Sequence, residues 1–191
     1  MQLLEAPIRE EEVRKAIQSM QSGRASGNDG FPVEYYKLYI DILAPILTKV
    51  YSESLSIGQL PNTLNESVIY VILKKGKDSL DPASYRPISL ANVDYKILTK
   101  VLAIRLEKIV PCIIHADQVG FVKGRSSSDN LRRLLHLMWQ NREADKPVAA
   151  FSLDAEKAFD RVEWRFLIHV LENFGFGLGF IKWIQLIYAE P

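Results

Sequence analysis

The 191-residue sequence predicts a helix-rich α+β fold, and two features of its patterning point there. Apolar residues recur at the three- and four-residue spacing of amphipathic helices through most of the chain. Residues 67–73 are instead a short run rich in β-branched residues that leads into a turn, which is typical of a strand. Residues 146–154 form an apolar run that is typical of a buried strand. Clusters of glycine, proline and serine separate the segments.

Two helices are predicted before the first strand. The first covers residues 9–20 and has acidic residues in its opening turn, where the helix dipole favours them. The second covers residues 33–57, where Pro45 is expected to kink or divide it and Gly58 to follow its end. The strand at residues 67–73 then runs directly into a lysine-rich turn.

The second half of the chain predicts four further helices around one strand. Residues 92–110 form a strong amphipathic pattern that Pro111 is expected to stop. The next loop ends in serines and Asp129, which can cap a helix over residues 131–143. The strand over residues 146–154 is followed by two helices that a glycine-rich joint separates.

The charge is unevenly distributed along the chain, although the net charge is only +1. Residues 1–66 carry 6 Lys+Arg against 9 Asp+Glu, residues 67–142 carry 13 against 6, and residues 143–191 carry 5 against 8. A basic middle third is expected of a surface that faces a polyanion. A solvated lysine-rich helix is the alternative, and charge alone slightly favours that alternative.

Composition excludes several classes of protein. No apolar run approaches the roughly 18 residues of a membrane span. The single cysteine, Cys112, is expected to be a small buried hydrophobe, and no disulfide can form within one chain. An intracellular location is therefore expected, with nuclear and cytoplasmic residence both open. Zinc coordination and serine or cysteine nucleophile motifs have no supporting pattern.

An acidic cluster follows the second predicted strand. Asp154 ends that strand, and Glu156 and Asp160 follow it closely. Asp154 can be the N-cap of a following helix, or a carboxylate held on rigid backbone as a Mg²⁺ ligand. Phe159 can be a core aromatic, or the floor or wall of a nucleotide pocket beside the metal.

A cationic cluster follows the first predicted strand. Lys74, Lys75 and Lys77 form a flexible loop that could close on a triphosphate, although no Walker-type phosphate loop occurs. Arg86 precedes a proline that fixes the local backbone, which suits bidentate phosphate contact; an ion pair with a neighbouring aspartate is the alternative.

A glycine-containing segment, "QVGFVKGR", lies between these clusters. Gly120, Gly124 and Arg125 could let a nucleic-acid backbone approach closely, or could serve only as turn residues.

The order of these blocks resembles one family. They are "GNDGFPVEYYK", "VILKKGKD", "YRPISLANVDYKILTKVLAIRL", "DQVGFVKGR" and "FSLDAEKAFDRVEW". In this order and spacing they are similar to the reverse transcriptase of non-LTR (LINE-type) retrotransposons, from about Glu12 to Pro191.

The resemblance implies a partial right-hand polymerase, with fingers and an incomplete palm. It divides the chain into a helical extension (residues 1–66), a fingers-like basic region (67–145) and the start of a palm (146–191). The implied reaction adds dNTPs to a DNA primer on an RNA template by two-metal phosphoryl transfer with Mg²⁺.

The resemblance also assigns residue roles. Asp154 matches the first catalytic aspartate, which holds both Mg²⁺ ions, and Phe159 matches the aromatic that excludes the 2′-hydroxyl of ribonucleotides. Lys74 and Arg86 match residues that grip the incoming triphosphate. The segments around Asp29–Gly30 and Gln118–Arg125 match those that lie along template and primer. The expected nucleic-acid contacts are Lys75, Lys77, Gln118, Gly120, Lys123 and Arg125.

One departure limits the expected activity. The family's second aspartate block, Y/F-x-D-D, and the nucleotide-pocket motif before it do not occur in these residues. Without the second aspartate block, one carboxylate cannot hold two magnesium ions in the polymerase geometry, so the chain is expected to be a part of such an enzyme and inactive by itself. The alternatives are a non-catalytic module that binds RNA or an RNA–DNA hybrid, and an inert transposon relic.

Overall fold

The computed structural model describes residues 2–142, 149–155 and 157–189, and in that part the chain is helix-rich α+β as predicted. In chain order the elements are α1 (Gln2–Glu5), α2 (Glu10–Ser19), α3 (Val33–Leu38), α4 (Ile40–Ile57), α5 (Asn62–Asn65), β1 (Ser67–Leu73), a 3₁₀ turn (Pro82–Ser84), β2 (Tyr85–Ala91), α6 (Val93–Glu107), α7 (Val110–Ile113), α8 (Ser127–Arg142), α9 (Trp164–Asn173) and α10 (Leu178–Tyr188). They form two compact units, residues 1–104 with 176–191, and residues 105–175.

The first unit is built on helix packing. Helix α2 contacts α3 and α4, while α10 contacts α1 and α4. The predicted apolar stripe of α2 is buried, with Val13, Ala16 and Ile17 all at 0% exposure. The N-terminus of α2 is capped by the Glu12 carboxylate, which accepts a hydrogen bond of 3.0 Å from the backbone N–H of Arg9.

The second predicted helix is divided at Tyr39 rather than at Pro45. Tyr39 adopts φ −104° and ψ 27°, and α4 begins at the next residue with Pro45 inside it. Restarting the helix at this point places Pro45 near its beginning, where the missing N–H removes a single bond of the helix. Gly58 follows the helix at φ 80°, as predicted, and donates its N–H to the Ser54 carbonyl.

The strand predicted over residues 67–73 is confirmed, and it pairs with a second strand that the sequence did not predict. Strands β1 and β2 are antiparallel, in a register that places Ser67 opposite Ala91 and Leu73 opposite Tyr85. The turn predicted after β1 covers the start of β2, and Pro87 lies inside that strand. Proline is tolerated there because β2 pairs on one side only within the described residues.

Residue Asn92 ties the "GNDG" loop to the start of α6. Its side chain is 2% exposed; Nδ2 donates to the Thr63 carbonyl at 2.7 Å, and Oδ1 accepts from the Asp29 N–H at 3.3 Å. The backbone of this loop passes so close that a Cβ on Gly27 would lie 2.1 Å from Asn92 Oδ1. Only glycine therefore fits this crossing without displacement.

Helix α6 is confirmed, although its end differs from the prediction. The helix ends at Glu107, and Pro111 lies in the first turn of α7 instead of stopping α6. Proline is well suited to a first helical turn, where its missing N–H has no helical partner to lose. Cys112, expected to be buried, is exposed on this short helix.

A carboxylate caps the last helix from the far end of the sequence. Glu5 accepts hydrogen bonds from the backbone N–H groups of Gly179 and Phe180, at 2.8 and 3.3 Å. These are unpaired donors in the first turn of α10, so Glu5 fills the role that a local cap residue usually has. Both glycine-separated helices, α9 and α10, confirm the prediction for that region.

The second unit contains α7, α8 and α9 with long loops between them. Ser126 caps α8 by accepting a hydrogen bond of 3.2 Å from the Ser128 N–H, as predicted for the serines. The helix begins at Ser127, earlier than predicted, so Asp129 lies inside its first turn and is not the cap. The apolar side of α8 is exposed: Leu131, Leu134, Leu135 and Met138 are 42–57% accessible.

The strand predicted over residues 146–154 is wrong for residues 149–154, which form no regular element; residues 146–148 lie outside the described residues. A strand requires a partner for its backbone groups, and no described segment pairs with this one. The two compact units are defined by which residues pack together, and they do not test the predicted division of the chain after residues 66 and 145. Those boundaries stay predictions. None of the helices in the described ranges is long and apolar enough to cross a membrane.

Candidate functional site

The β1–β2 hairpin brings two predicted phosphate-binding residues to the same end. Arg86 lies opposite Ile72, two residues before Lys74. Strand alternation therefore places Lys74 and Arg86 on one face of the hairpin. Arg86 is exposed and makes no ion pair within the described residues, so the alternative of an aspartate partner is not confirmed there.

The loop that closes this hairpin is held by its own backbone contacts. The N–H of Lys74 donates to the Ser84 carbonyl at 2.8 Å, and its ammonium donates to the Ala83 carbonyl at 2.8 Å. The Asp78 and Asp81 carboxylates accept hydrogen bonds from backbone N–H groups inside the loop. These carboxylates are thus engaged locally, while Lys75 and Lys77 are exposed. We call Lys74, Lys75, Lys77 and Arg86 the hairpin cations.

Arg125 organises the loop that precedes α8. Its guanidinium donates to the backbone carbonyls of His115 and Gln118, at 2.6 and 2.8 Å, and to those of Pro111 and Ile114, both at 3.0 Å. Because the guanidinium is directed at carbonyl groups of its own loop, Arg125 acts on this region as a positioning residue. Its predicted nucleic-acid contact stays a prediction.

The other predicted residues of this loop are accessible. Gly120 has open space around the position that a Cβ would occupy, and Gly124 adopts φ 79°, which is a turn requirement. Lys123 is exposed and forms an ion pair of 3.3 Å with Glu107. Gln118 contributes its backbone carbonyl to Arg125. Asp117 pairs with Arg133 of α8, which joins the loop to that helix.

Asp154 and Phe159 lie in an irregular segment of the second unit. The helix that Asp154 was expected to cap is not formed over residues 157–161, which are turns. Phe159 is 81% exposed, so its interpretation as a core aromatic is wrong. Its ring instead contacts Phe121 edge to face, with centroids 5.9 Å apart and an interplanar angle of 81°. The sequence did not single out Phe121, although its position inside a glycine-rich segment was a usable signal.

The described residues do not form a magnesium site. No group of three His, Cys, Asp or Glu side chains that could hold a metal ion occurs in residues 2–142, 149–155 and 157–189. The Asp154 side chain is exposed to solvent, and Glu156 lies outside the described residues. Paired metal ions require several carboxylate oxygens, and Asp154 supplies one carboxylate.

A buried polar cluster supports the loop that contains Asp29. Burial raises the pKa of the Asp94 carboxyl, and the charge of Asp29 adds to that effect. Tyr51 is 0% exposed and donates its hydroxyl to the backbone carbonyl of Asp94 at 2.7 Å; burial raises its pKa. The Asp29 carboxylate itself accepts the Phe31 N–H at 3.1 Å. This segment is therefore fixed by internal contacts, and its predicted place along template and primer stays a prediction.

A groove on the first unit adds positive charge outside the hairpin. It has a volume of about 600 Å³, and its lining includes Arg24, Lys96 and Lys100. The two lysines follow each other by four residues on α6, and Lys96 donates to the Ala25 carbonyl at 3.5 Å. The basic middle third of the sequence is thus spread over more than one surface.

The predicted site residues fall into two sets. The hairpin cations belong to the first unit, whereas Gln118, Gly120, Lys123, Arg125, Asp154 and Phe159 belong to the second. In the first set, Lys74 and Arg86 lie at the same end of the hairpin, and in the second set Phe159 contacts Phe121, which the sequence did not single out. A basic hairpin end and an exposed aromatic pair are features typical of proteins that bind nucleotides or nucleic acid.

Comparison with known families gives this class a name. The family described as "Reverse transcriptase (RNA-dependent DNA polymerase)" matches residues 72–190. The chain therefore belongs to the reverse transcriptase family, and the resemblance to the non-LTR, LINE-type group is confirmed. The family as a whole implies nucleic-acid substrates and use of a divalent metal.

Named relatives cover most of this chain. It is 35% identical over 98% of its length to the "Transposon TX1 uncharacterized 149 kDa protein" of Xenopus laevis, of which it covers 14%. It is 31% identical over 82% of its length to the "Probable RNA-directed DNA polymerase from transposon BS" of Drosophila melanogaster, of which it covers 17%. It is 29% identical over 93% of its length to the "Retrovirus-related Pol polyprotein from type-1 retrotransposable element R2" of Popillia japonica, of which it covers 24%. The chain thus spans less than a quarter of each of these proteins and is a segment of a reverse transcriptase domain.

Proposed function

We propose that this segment holds the phosphates of the incoming nucleotide and of the nucleic acid in an RNA-directed DNA polymerase. The observation that carries the proposal is the hairpin end, where Lys74 and Arg86 share a face beside Lys75 and Lys77. Two cations on one face of a hairpin can contact neighbouring phosphates of a dNTP or of a nucleic-acid strand, and the two exposed lysines can contact a template or primer backbone.

The chemistry sets the role of these cations. In the proposed reaction the primer 3′-hydroxyl attacks the α-phosphorus of the dNTP, a P–O bond forms, and pyrophosphate leaves as the bond to the β-phosphate oxygen breaks. The hydroxyl proton is lost to solvent or a base. Negative charge is carried by the phosphate oxygens throughout, so Lys74 and Arg86 would orient the triphosphate and offset its charge.

Asp154 is the proposed carboxylate for a divalent metal, and Phe159 the proposed aromatic that excludes a ribose 2′-hydroxyl. The described residues do not complete a metal site, so Asp154 has no proposed catalytic step by itself. We expect the purified 191-residue chain to give no primer extension on an RNA template with dNTPs and Mg²⁺. An extension product that disappears with Asp154→Ala would contradict this expectation.

Phosphate contact is testable on the chain itself. We expect single-stranded RNA to bind with a steep salt dependence, measured by fluorescence anisotropy across a salt titration. The variants Lys74→Gln and Arg86→Gln should each flatten the slope of log K against log salt by about 0.7 to 1, the loss of one phosphate contact. The template and primer nucleic acids and the dNTP are the proposed partners.

A matched control separates this site from general surface charge. Lys49 is an exposed lysine of α4 in the same unit, and Lys49→Gln removes an equal charge away from the hairpin. We expect its slope to equal that of the unmodified chain. Equal slopes for Lys49→Gln and the hairpin variants would contradict the proposal, and so would a folded chain that binds no RNA.

A further inference from the structure

The tip of the loop before α8 presents an unusual aromatic residue. Phe121 is 95% exposed and adopts φ 60°, a conformation that bulky residues rarely adopt. Lys157, two residues before Phe159, also has a positive φ, of 51°. Two non-glycine residues held in this conformation, on the two segments that meet at one aromatic pair, indicate that the pair is positioned by more than local preference.

The geometry of the pair leaves ring surface free. In an edge-to-face contact, one ring presents its edge and the other a single face. The contact between Phe121 and Phe159 therefore buries little of either ring, which agrees with their exposures of 95% and 81%. Two exposed aromatic rings in contact are a surface on which a planar group can stack.

The loop that carries Phe121 is held in place by hydrogen bonds at its base. Arg125 donates to four carbonyl groups between Pro111 and Gln118, so the tip rests on a tightly hydrogen-bonded base. A fixed platform loses less conformational entropy on binding than a mobile loop would.

Cations lie beside both rings in the sequence. Lys123 follows Phe121 by two residues and Lys157 precedes Phe159 by two residues; both lysines are exposed, and Lys123 also pairs with Glu107. Aromatic rings that stack bases, together with cations that contact phosphates, are the features by which proteins bind single-stranded nucleic acid. An apolar protein partner would not require the two lysines.

We propose that Phe121 is a base-stacking residue, and that with Phe159 it forms the site for an unpaired base of a single-stranded nucleic acid. The proposal rests on the proposed function insofar as the chain must contact nucleic acid. It adds a second role to the surface: the hairpin cations recognise phosphate, whereas Phe121 recognises the planar base.

The test separates bases from phosphates. The purified chain is titrated with labelled single-stranded RNA of about 12 nucleotides, and with an abasic strand of equal length and charge, in fluorescence anisotropy. We expect the base-containing strand to bind more tightly, and Phe121→Leu to reduce its affinity at least about fivefold, while affinity for the abasic strand is unchanged. Because Phe121 is 95% exposed, its replacement should not affect folding, which circular dichroism checks.

Two further variants control for size and for ring chemistry. Phe166→Leu alters another exposed phenylalanine of the second unit, on α9, and should leave both affinities unchanged. Phe121→Tyr keeps a stacking ring and should retain the preference for the base-containing strand.

The outcomes distinguish this inference from the proposed function. Equal binding of the two strands, or an unchanged preference in Phe121→Leu, would overturn the base-stacking role. The proposed function would still stand if Lys74→Gln or Arg86→Gln flattened the salt slope. Absence of binding to either strand would overturn both.

Discussion

The two compact units differ sharply in how much of their apolar surface is buried. Among the described residues, the fully buried apolar side chains lie in residues 1–104 and 176–191, with the single exception of Val122. In the second unit, α8 exposes Leu137 and Met138 at 54% and 57%, and Trp139 at 74%.

This difference places Asp154, Phe159 and the Phe121 loop in the unit with little core, whereas the hairpin cations lie in the well-packed first unit. The first unit buries helix faces against one another, and burial of that kind supplies most of the free energy of folding. The second unit carries Asp154 and Phe159 on irregular backbone with little core behind them, and its Phe121 loop is held by the hydrogen bonds of Arg125 instead of by a core. Regions of low packing open more easily, so the second unit should be the less stable of the two.

The largest effect is expected from truncating the core of the first unit. Ile97 is 0% exposed, and Ile97→Ala should lower the free energy of unfolding by about 2–5 kcal/mol because it removes buried methyl groups and leaves a cavity. Leu134→Ala makes a similar truncation on the exposed side of α8, at 42% exposure, and should cost less than about 1 kcal/mol. Urea denaturation followed by circular dichroism measures both. Equal losses would show that the units do not differ in this way.

A smaller effect is expected from adding one methyl group to each unit. In Gly27→Ala the new Cβ would lie 2.6 Å from the backbone of Asn92, so the loop must shift, at a cost of about 1–3 kcal/mol. Gly120→Ala is the control, since its Cβ meets open space. Thermal unfolding should separate the two variants. The comparison would be broken if Gly120→Ala proved the more destabilising.

The Gly120 variant has a second use. If nucleic acid approaches the backbone at this loop, Gly120→Ala should weaken RNA binding without a loss of stability. Anisotropy on the same sample measures this effect.

The smallest effect is expected from the half-buried carboxyl of Asp94. Because burial raises the pKa of Asp94 above its unfolded value, Asp94 favours folding fully below the unfolded pKa, and that contribution is lost as the pH rises through the raised folded pKa. Asp94→Asn should therefore stabilise the chain at neutral pH and have no such benefit below about pH 3.9. Denaturation at the two pH values tests this. Asp154→Asn, an exposed carboxyl of the second unit, should change stability at neither pH.

Local sequence determined the first strand and most of the longer helices. Helical spacing located α2, α6 and α8, because the side chains of one helix face lie close together whatever surrounds them. The cap at Ser126 was also predictable from local sequence, because a cap residue forms its hydrogen bond with its own helix. The order of the five sequence blocks was enough to identify the reverse transcriptase family.

Only the tertiary structure decided the features that depend on distant partners. Strand β2 exists because β1 lies beside it, and residues 149–154 form no strand because no described segment pairs with them. The capping of α10 by Glu5 joins residues 174 positions apart, and the contact between Phe121 and Phe159 joins two loops. Backbone pairing, burial and long-range contact depend on where the chain returns in space, and spacing within one segment does not contain that information.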